Sequence, residues 1–130
     1  MHHRILTVLQ WIVGLYFIAI GVMHFIVPDG LPDMMGWMYE LDETLHWISG
    51  TAEILGGLGL ILPGLTKIQP RLTVWAAIGL MVVMAGATVW HANRGETQSI
   101  GFNVVLFLIL GYIAYGRARL APYESETAAA

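Results

Sequence analysis

Four long apolar stretches, separated by short polar segments, dominate the hydrophobic pattern of the chain. They run over residues 5–27, 45–62, 72–91 and 100–115. A helix needs about 20 mostly apolar residues to cross the hydrocarbon of a bilayer, so each stretch is close to the length of one span. Helix-breaking segments separate them: Pro28 and Gly30, then Pro63 and Gly64, then the polar run HANRGE at 91–96. The pattern predicts an all-α, four-transmembrane-helix bundle.

The two ends of the chain need separate interpretation. The first apolar stretch is too long for a signal peptide and no small-residue cleavage site follows it, so we expect a retained span. The fourth stretch is short, and we expect Arg117 and Arg119 to extend it by reaching to the interface. Residues 1–120 are thus predicted to form a single four-helix membrane domain, and residues 121–130 a disordered cytoplasmic tail.

Composition supports a membrane protein and excludes several other classes. The chain is 57% hydrophobic and 12% charged, which is too apolar for the surface of a water-soluble domain of this size. No basic patch or nucleic-acid motif is present, so we expect no nucleic-acid partner. The absence of cysteine excludes disulfides and cysteine-bound iron–sulfur clusters within the chain.

The distribution of cations predicts the orientation of the bundle. One end carries five of the six cations, and the other carries Arg94; the five are Arg4, Lys67, Arg71, Arg117 and Arg119. Under the positive-inside rule, both termini and the loop at 63–71 are cytoplasmic. The loop at 28–44 contains acidic residues and no Lys or Arg, which fits an external position.

Within this outer loop, apolar residues recur at helical spacing and predict a short amphipathic helix over the outer end of the bundle; they are Leu31, Met34, Met35, Met38 and Leu41. Such a helix would serve as an interfacial anchor. The alternative is a lid whose methionine thioethers face a soft metal such as Cu(I).

Intramembrane polar side chains are few, and their depth is the main clue to function. They are His24, His46, Ser49, Glu53, Thr88, His91 and Asn103. Converting position to depth with the rise of about 1.5 Å per residue places them in the outer half of all four spans. The inner half contributes almost none. Because lipid offers no hydrogen bonds, such groups usually face the bundle interior and mark functional sites.

Glu53 is the most informative of these residues. It lies in the glycine-rich run TAEILGGLGLILPG at 51–64, seven residues after His46 and on the same helical face. A buried acid there is protonated, or paired with His24 or His91 from neighbouring helices. His46 itself is interpreted as a residue of the helix start at the interface. The glycines on spans one to three, including Gly56, Gly79 and Gly86, are predicted to let the helices approach closely.

Several motifs together resemble the DoxX-like family of small four-helix integral membrane proteins. They are GVMHF at 21–25, GTAEILGGLGLILPG at 50–64, HANRGE at 91–96 and YGRAR at 115–119. The resemblance runs from about Ile5 to Arg119. It implies the four-helix fold and, for a prokaryotic member, the cell inner membrane. Some members are similar to a subunit of an archaeal thiosulfate:quinone oxidoreductase, others are linked to detoxification or oxidative stress, and animal relatives act as assembly chaperones.

The leading functional hypothesis is a membrane oxidoreductase component with an outer-half polar pocket for a quinone or a metal. For a quinone, His24 or His91 would bond a carbonyl oxygen, Asn103 would add a cofactor-binding group, and Glu53 would be the catalytic residue that exchanges the accompanying proton. For a metal, His24, Glu53 and His91 form a ligand set for Fe, Cu or Zn. A haem between His24 and His91 is a further option.

A non-enzymatic role is the alternative hypothesis. The chain would then be an accessory or assembly subunit that packs against a larger membrane partner through its glycine faces. The same faces suggest a homo- or hetero-oligomer. A transmembrane proton or solute pathway is disfavoured because the polar residues stop halfway across the bilayer.

Overall fold

The structure is a computed structural model that describes residues 1–123. Over that range the chain forms four long helices and no strand; the helices are α1 (His2–Phe25), α2 (Glu43–Thr66), α3 (Arg71–Asn93) and α4 (Thr97–Tyr115). A 3₁₀ helix, Asp33–Tyr39, lies between α1 and α2, and a π-helical segment, Gly116–Leu120, continues α4. The predicted all-helical bundle is confirmed.

All four helices are long and apolar enough to cross a membrane, the fourth being counted from Thr97 to Leu120. The chain is therefore an integral membrane protein in a lipid bilayer. The helices extend beyond the apolar stretches, except that α1 ends at Phe25, because hydropathy detects only the part of each helix that lies in hydrocarbon. α2 continues through Pro63 and ends at Lys67, which has the left-handed φ of 57°.

The bundle has two distinct ends. The end that carries the 3₁₀ helix and the turn at 94–96 is called the 3₁₀ end. The opposite end, called the termini end, carries the N-terminus, the loop at 67–70 and the π-helical segment. Gly95 takes a φ of 70° in the turn at 94–96, and this left-handed conformation lets α3 reverse into α4 over three residues.

Close contact between α1 and α2 rests on two pairs of glycines. A Cβ built on Gly57 would lie 2.6 Å from the Gly14 carbonyl oxygen, and one built on Gly21 would lie 2.9 Å from the Gly50 carbonyl oxygen. The two pairs are seven residues apart along each helix, so the two antiparallel helices meet backbone to backbone along two turns. This register brings His24 of α1 alongside the first half of α2.

The glycines of α3 behave differently from the prediction. Gly56 of α2 packs on Leu80 of α3 as expected, with a built Cβ 2.5 Å from a Leu80 Cδ atom. A Cβ on Gly79 or Gly86, in contrast, would meet no atom of the described chain within 4 Å. These two glycines therefore do not mediate helix packing within the bundle.

The termini end holds a buried polar network that the sequence reasoning missed. Arg117 is 3% exposed and does not reach to the interface as predicted. Its Nε donates to Gln10 Oε1 at 2.6 Å, and Gln10 Nε2 donates to the Leu60 carbonyl at 2.7 Å. The other guanidinium N–H groups donate to His3, Thr7, Ala121 and Tyr123. The half of the bundle nearest the termini end is thus not devoid of polar groups. Arg119 remains exposed.

The predicted tail at 121–130 is described only at its start. Tyr123 lies under the Arg117 guanidinium, with the ring centroid 3.8 Å from Cζ. Residues 124–130 lie outside the described residues, so the predicted disorder there stays a prediction.

The helix predicted in the outer loop is present but shorter and more tightly wound than expected. It is a 3₁₀ helix of seven residues, in which Met38 is buried and Met34 exposed. The Tyr39 hydroxyl donates to the Pro28 carbonyl at 2.7 Å and accepts from the Leu31 amide at 3.1 Å. These bonds fold the segment back over the bundle.

Replacing Gly57 by alanine is expected to destabilise the bundle by about 1–3 kcal/mol, the usual cost of overpacking a tight contact. The added Cβ meets a backbone oxygen, which cannot move aside without separating α1 from α2. Thermal unfolding in detergent measures the effect. Gly79→Ala is the matched control, because its Cβ enters open space; equal melting temperatures for the two variants would contradict the glycine contact.

Candidate functional site

A cavity of about 350 Å³ lies inside the half of the bundle nearest the 3₁₀ end. All four long helices and the 3₁₀ helix contribute to its wall. Tyr16 and Phe17 of α1 line the side toward the bundle centre, and Trp37 and Trp90 line the side toward the 3₁₀ end. Most of the wall is therefore aromatic or aliphatic.

A small group of polar side chains interrupts this apolar wall: His24, Ser49, Glu53, His91 and Asn103. The four predicted site residues, His24, Glu53, His91 and Asn103, are among them, and each is at most 8% exposed. The four residues, which their depth in the sequence pattern placed in the same half of the bundle, therefore line one cavity. An apolar chamber with a few convergent polar groups is the usual form of a small-molecule site.

Glu53 and His46 both contact His24, from opposite sides of its ring. His24 Nδ1 lies 2.8 Å from His46 Nδ1, and His24 Nε2 lies 3.3 Å from Glu53 Oε2. His46 Nε2 in turn lies 2.8 Å from the Met38 carbonyl oxygen in the 3₁₀ helix. We call this chain of contacts, Met38 O–His46–His24–Glu53, the histidine chain.

Local structure explains why α2 presents these two residues to His24. The Asp42 side chain accepts a hydrogen bond from the Leu45 amide at 2.8 Å and so caps the start of α2. This fixes His46 in the first turn, and Glu53 follows two turns later on the same face. On the opposing helix, the contact between Gly21 and Gly50 holds the backbone of α1 close enough for His24 to reach both.

His91 lines the cavity but is separate from the histidine chain. Its Nδ1 lies 3.3 Å from Glu96 Oε1, across the turn at 94–96. The Trp37 ring stands between the two histidines, with its centroid 5.4 Å from that of His91 and 5.8 Å from that of His24.

Two buried polar atoms on the cavity wall have no hydrogen-bond partner among the described residues. They are Glu53 Oε2, whose contact with His24 is not aligned as a hydrogen bond, and Asn103 Nδ2. A buried unpartnered polar atom costs about 1–3 kcal/mol. Both atoms belong to residues that line the cavity, so a polar group of a ligand placed there would offset this cost for each of them.

The predicted metal set of His24, Glu53 and His91 is not assembled. Within residues 1–123, no group of three or more His, Cys, Asp or Glu side chains is arranged to hold a metal ion. His91 points to Glu96, while both ring nitrogens of His24 are engaged by His46 and Glu53.

The cavity reaches the lipid-facing surface between α2 and α3. Among its lining residues, Ile48 of α2 is 60% exposed and Val82 of α3 is 67% exposed. Gly86 of α3, one turn after Val82, also lines the cavity, and a Cβ added there meets open space. Because glycine has no side chain, Gly86 leaves part of this opening between α2 and α3 unobstructed.

An ionic contact holds the 3₁₀ segment to the turn at 94–96. The Arg94 guanidinium contacts the Glu40 carboxylate, and its Nε donates to Glu96 Oε1 at 2.6 Å. Burial acts to raise the pKa of Glu96, but hydrogen bonds from Arg94 and His91 outweigh it and hold the pKa below its ordinary value. The contact therefore joins the two connections that cover the 3₁₀ end.

Two contributors to the site were not predicted from the sequence. His46 was interpreted as a residue of the helix start, although its seven-residue spacing from Glu53 placed both on one face of α2. Trp37 was given no role in the site. Its insertion between His24 and His91 depends on how the 3₁₀ segment folds back, which apolar periodicity does not encode.

A model described as the DoxX-like family matches residues 8–113, a range that includes every polar residue of the cavity wall. No curated protein and no solved structure matches the chain.

Replacing Arg94 by glutamine is expected to loosen the 3₁₀ segment. Exposed ion pairs contribute about 0.2–1 kcal/mol, so amide hydrogen exchange at residues 33–39 should rise by about fivefold at most. Mass spectrometry of exchange measures this, with Arg119→Gln at the opposite end as the control. Unchanged exchange in Arg94→Gln would show that the contact does not hold the segment.

The ionic contacts of Arg94 are expected to weaken in acid, when the Glu96 carboxylate loses its charge. Because the pKa of Glu96 is lowered in the folded protein, its contribution is present above the ordinary carboxyl range and is lost as the pH falls through the lowered value. Exchange of residues 33–39 in the wild type should then approach that of Arg94→Gln. A difference between them that persists at the lowest pH would contradict this.

Proposed function

This chain belongs to the DoxX-like family, and we propose that it binds the head group of a quinone in the cavity between its membrane helices. It would act as the quinone-binding component of a membrane oxidoreductase. The observation that carries the proposal is the pair of unpartnered polar atoms, Glu53 Oε2 and Asn103 Nδ2, on one buried and otherwise apolar wall.

The chemistry of these two groups matches that of a quinone. The Asn103 amide N–H is a donor that suits a carbonyl oxygen. Glu53 donates a hydrogen bond when protonated and accepts one when ionised, so it can face a carbonyl or a hydroxyl oxygen equally well. A quinone is a ligand whose oxygens change from acceptors to donors when it takes up electrons and protons.

The size and opening of the cavity favour the same ligand class. About 350 Å³ is at the small end of the range of roughly 300–1,000 Å³ typical of ligand pockets, which suits one substituted ring. The opening between α2 and α3 faces lipid, so an isoprenoid tail would remain in the bilayer while the ring enters. Tyr16, Phe17, Trp37 and Trp90 supply aromatic faces for the ring.

In this role the chain supplies binding and proton exchange rather than electrons. Glu53 would give a proton to, or take one from, the quinone oxygen nearest to it. The electrons would come from a partner protein that carries a redox centre, which makes this chain one subunit of a larger complex. His91 could bond a ring substituent on the far side of Trp37, consistent with its place on the cavity wall.

We further propose that both termini are cytoplasmic and that the membrane is the inner membrane of a prokaryotic cell. The support is the concentration of cations at the termini end, to which the positive-inside rule assigns a cytoplasmic position. The 3₁₀ end and the cavity would then lie in the outer half of the bilayer.

The accessory-subunit hypothesis remains a prediction. Its argument began from glycine faces, and the structure shows Gly14, Gly21, Gly56 and Gly57 already in contact within the bundle. A bulky residue at Gly56 would therefore disturb the fold of the chain itself, and its effect on a complex would not report on a partner surface.

Quinone binding is tested with a short-chain benzoquinone added to the purified protein in detergent. Trp37 and Trp90 line the cavity, so a bound quinone should quench tryptophan fluorescence in a saturable way. Gly86→Leu is expected to weaken binding at least about tenfold, because its Cβ enters open space beside the cavity and the rest of the side chain would obstruct the opening. Gly79→Leu, on the same helix and also in open space, is the matched control.

The polar contacts are tested separately. Asn103→Leu removes one donor at nearly constant volume and is expected to weaken binding by about fivefold, the value of one hydrogen bond near 1 kcal/mol. Equal quenching in Gly86→Leu and Gly79→Leu, or linear quenching without saturation, would overturn the proposed site.

A further inference from the structure

The lipid-facing side of α3 continues the cavity beyond its opening. Val82, Val83 and Gly86 line the cavity. Gly79 lies seven residues before Gly86, so the two glycines share one face of the helix, about 10 Å apart along its axis. A Cβ built on either glycine would meet no atom of the described chain within 4 Å. Both positions are therefore open to the lipid.

Two valines separate the glycines and complete a trough. At about 100° of rotation per residue, Val82 and Val83 point to opposite sides of the line that joins Gly79 to Gly86. Because glycine has no side chain, the helix backbone is the floor of the trough at both of its ends, and the valines are its walls. We call this surface, which consists of Gly79, Val82, Val83 and Gly86, the α3 trough. It carries no polar side-chain atom.

Contacts between α2 and α3 limit where a tail that leaves the cavity can run. On the termini side of the opening, a Cβ on Gly56 would lie 2.5 Å from a Leu80 Cδ atom. A Cβ on Gly59 would lie 2.6 Å from the Ala76 Cβ. The helices therefore touch at these two levels and leave no passage between them. A tail that runs toward the bilayer centre must lie on the outer surface, where Gly79 stands next to Leu80.

We propose that the α3 trough binds the part of an isoprenoid tail nearest to the quinone ring, so that the site recognises the tail as well as the ring. This rests on the proposed function for the identity of the ring. Two unpartnered buried atoms, Glu53 Oε2 and Asn103 Nδ2, point to a ligand inside the cavity. Gly86 and both valines belong to the wall of that cavity as well as to the trough. The tail of a ligand held in the cavity thus passes directly onto the trough.

Shape, rather than hydrophobicity, is what the trough offers to a tail. Lipid is as apolar as the tail, so leaving it brings no hydrophobic gain, and close van der Waals contact is the remaining attraction. An isoprenoid chain carries a methyl branch on every repeat, and the notches at Gly79 and Gly86 leave space for such branches. A linear acyl chain has no branch to fill them. The trough therefore favours a branched tail.

Gly79 makes no packing contact within the described bundle. Glycine weakens the interior of a helix relative to alanine, because it has more backbone freedom to lose on folding. Gly56 and Gly59 offset this cost by letting α2 approach α3, whereas Gly79 brings no described helix closer. A tail lying in the trough makes, at Gly79, the contacts that a neighbouring helix makes at the other two glycines.

The test compares two ligands on the full chain in detergent. One is the short-chain benzoquinone, whose substituent ends before Gly79, and the other is the same ring with a geranyl tail. Saturable quenching of tryptophan fluorescence gives both dissociation constants at one detergent concentration. The wild type is expected to bind the geranyl compound more tightly. Gly79→Leu is expected to weaken binding of that compound by about fivefold or more, because its side chain overfills the trough, and to leave the short-chain compound unchanged.

Two further variants serve as controls. Gly101→Leu adds the same side chain on α4, where a Cβ also meets open space, and should leave both dissociation constants unchanged. Gly79→Ala adds a single methyl group to the trough and should have a smaller effect than Gly79→Leu. Thermal unfolding shows that each variant is folded before its affinities are compared.

Photolabelling of the wild type locates the tail without any variant. A geranyl benzoquinone with a diazirine at the end of its tail is irradiated with the protein, and mass spectrometry identifies the labelled residues. Labels are expected on α3 around Gly79, and an excess of the geranyl compound without the diazirine should suppress them. Labels spread over the lipid-facing surfaces of all four helices would overturn the proposal.

The possible outcomes distinguish the trough from the quinone site. If the short-chain compound binds and Gly79→Leu weakens both compounds equally or neither, the trough is wrong and the quinone site stands. A smaller oligomer in Gly79→Leu, with unchanged quinone affinities, would assign this surface to a second copy of the chain and also overturn the tail site. If neither compound binds to the wild type in a saturable way, the proposed function is wrong as well.

Discussion

The backbone contact between α1 and α2 is the constraint on which the site depends. Two glycine pairs, Gly14 with Gly57 and Gly21 with Gly50, bring the helices together at distances that no side chain could fill. That approach puts the His24 ring within reach of two residues on α2, His46 and Glu53. A conventional helix spacing of about 8–10 Å at this point would move His24 away from His46 and Glu53 and break the contacts of the histidine chain.

The sequence predicted the fold and the depth of the site well, because both follow from one-dimensional quantities. Apolar length located the spans, and the helical rise placed His24, Glu53, His91 and Asn103 at one level, where they share a cavity. Which polar groups pair depends on helix rotation and on the path of loops, and neither is periodic in sequence. For that reason the predicted metal set is not assembled among the described residues, His46 was undervalued, and Arg117 was assigned to the interface although it is buried with Gln10.

The two ends of the bundle differ in whether the buried polar groups described above have hydrogen-bond partners within the chain. At the termini end, Arg117 distributes its guanidinium N–H groups among side-chain and backbone acceptors, so its donors are satisfied within the chain. At the 3₁₀ end, Glu53 and Asn103 leave one buried polar atom each without a partner in the described chain. A folded membrane protein tolerates such atoms where they serve a function. We therefore interpret the first network as a structural clamp, and this difference supports the proposal of a binding site at the 3₁₀ end.

The order of the connections has a mechanical consequence. α1 and α2 are joined at the 3₁₀ end, as are α3 and α4, whereas the chain passes from α2 to α3 through residues 67–70 at the termini end. α2 and α3 also pack against each other, as at Gly56 and Leu80. The bundle therefore consists of two helical hairpins, α1–α2 and α3–α4, joined by the connection at 67–70. The cavity lies at the end away from this connection, where the contact between Arg94 and Glu40 holds the two hairpins together. For a helix of 24 residues, a pivot of about 5° displaces the free end by roughly 3 Å, given a rise of about 1.5 Å per residue. A small rotation of one hairpin about the connection at 67–70 would thus widen the cavity enough to admit a planar ring.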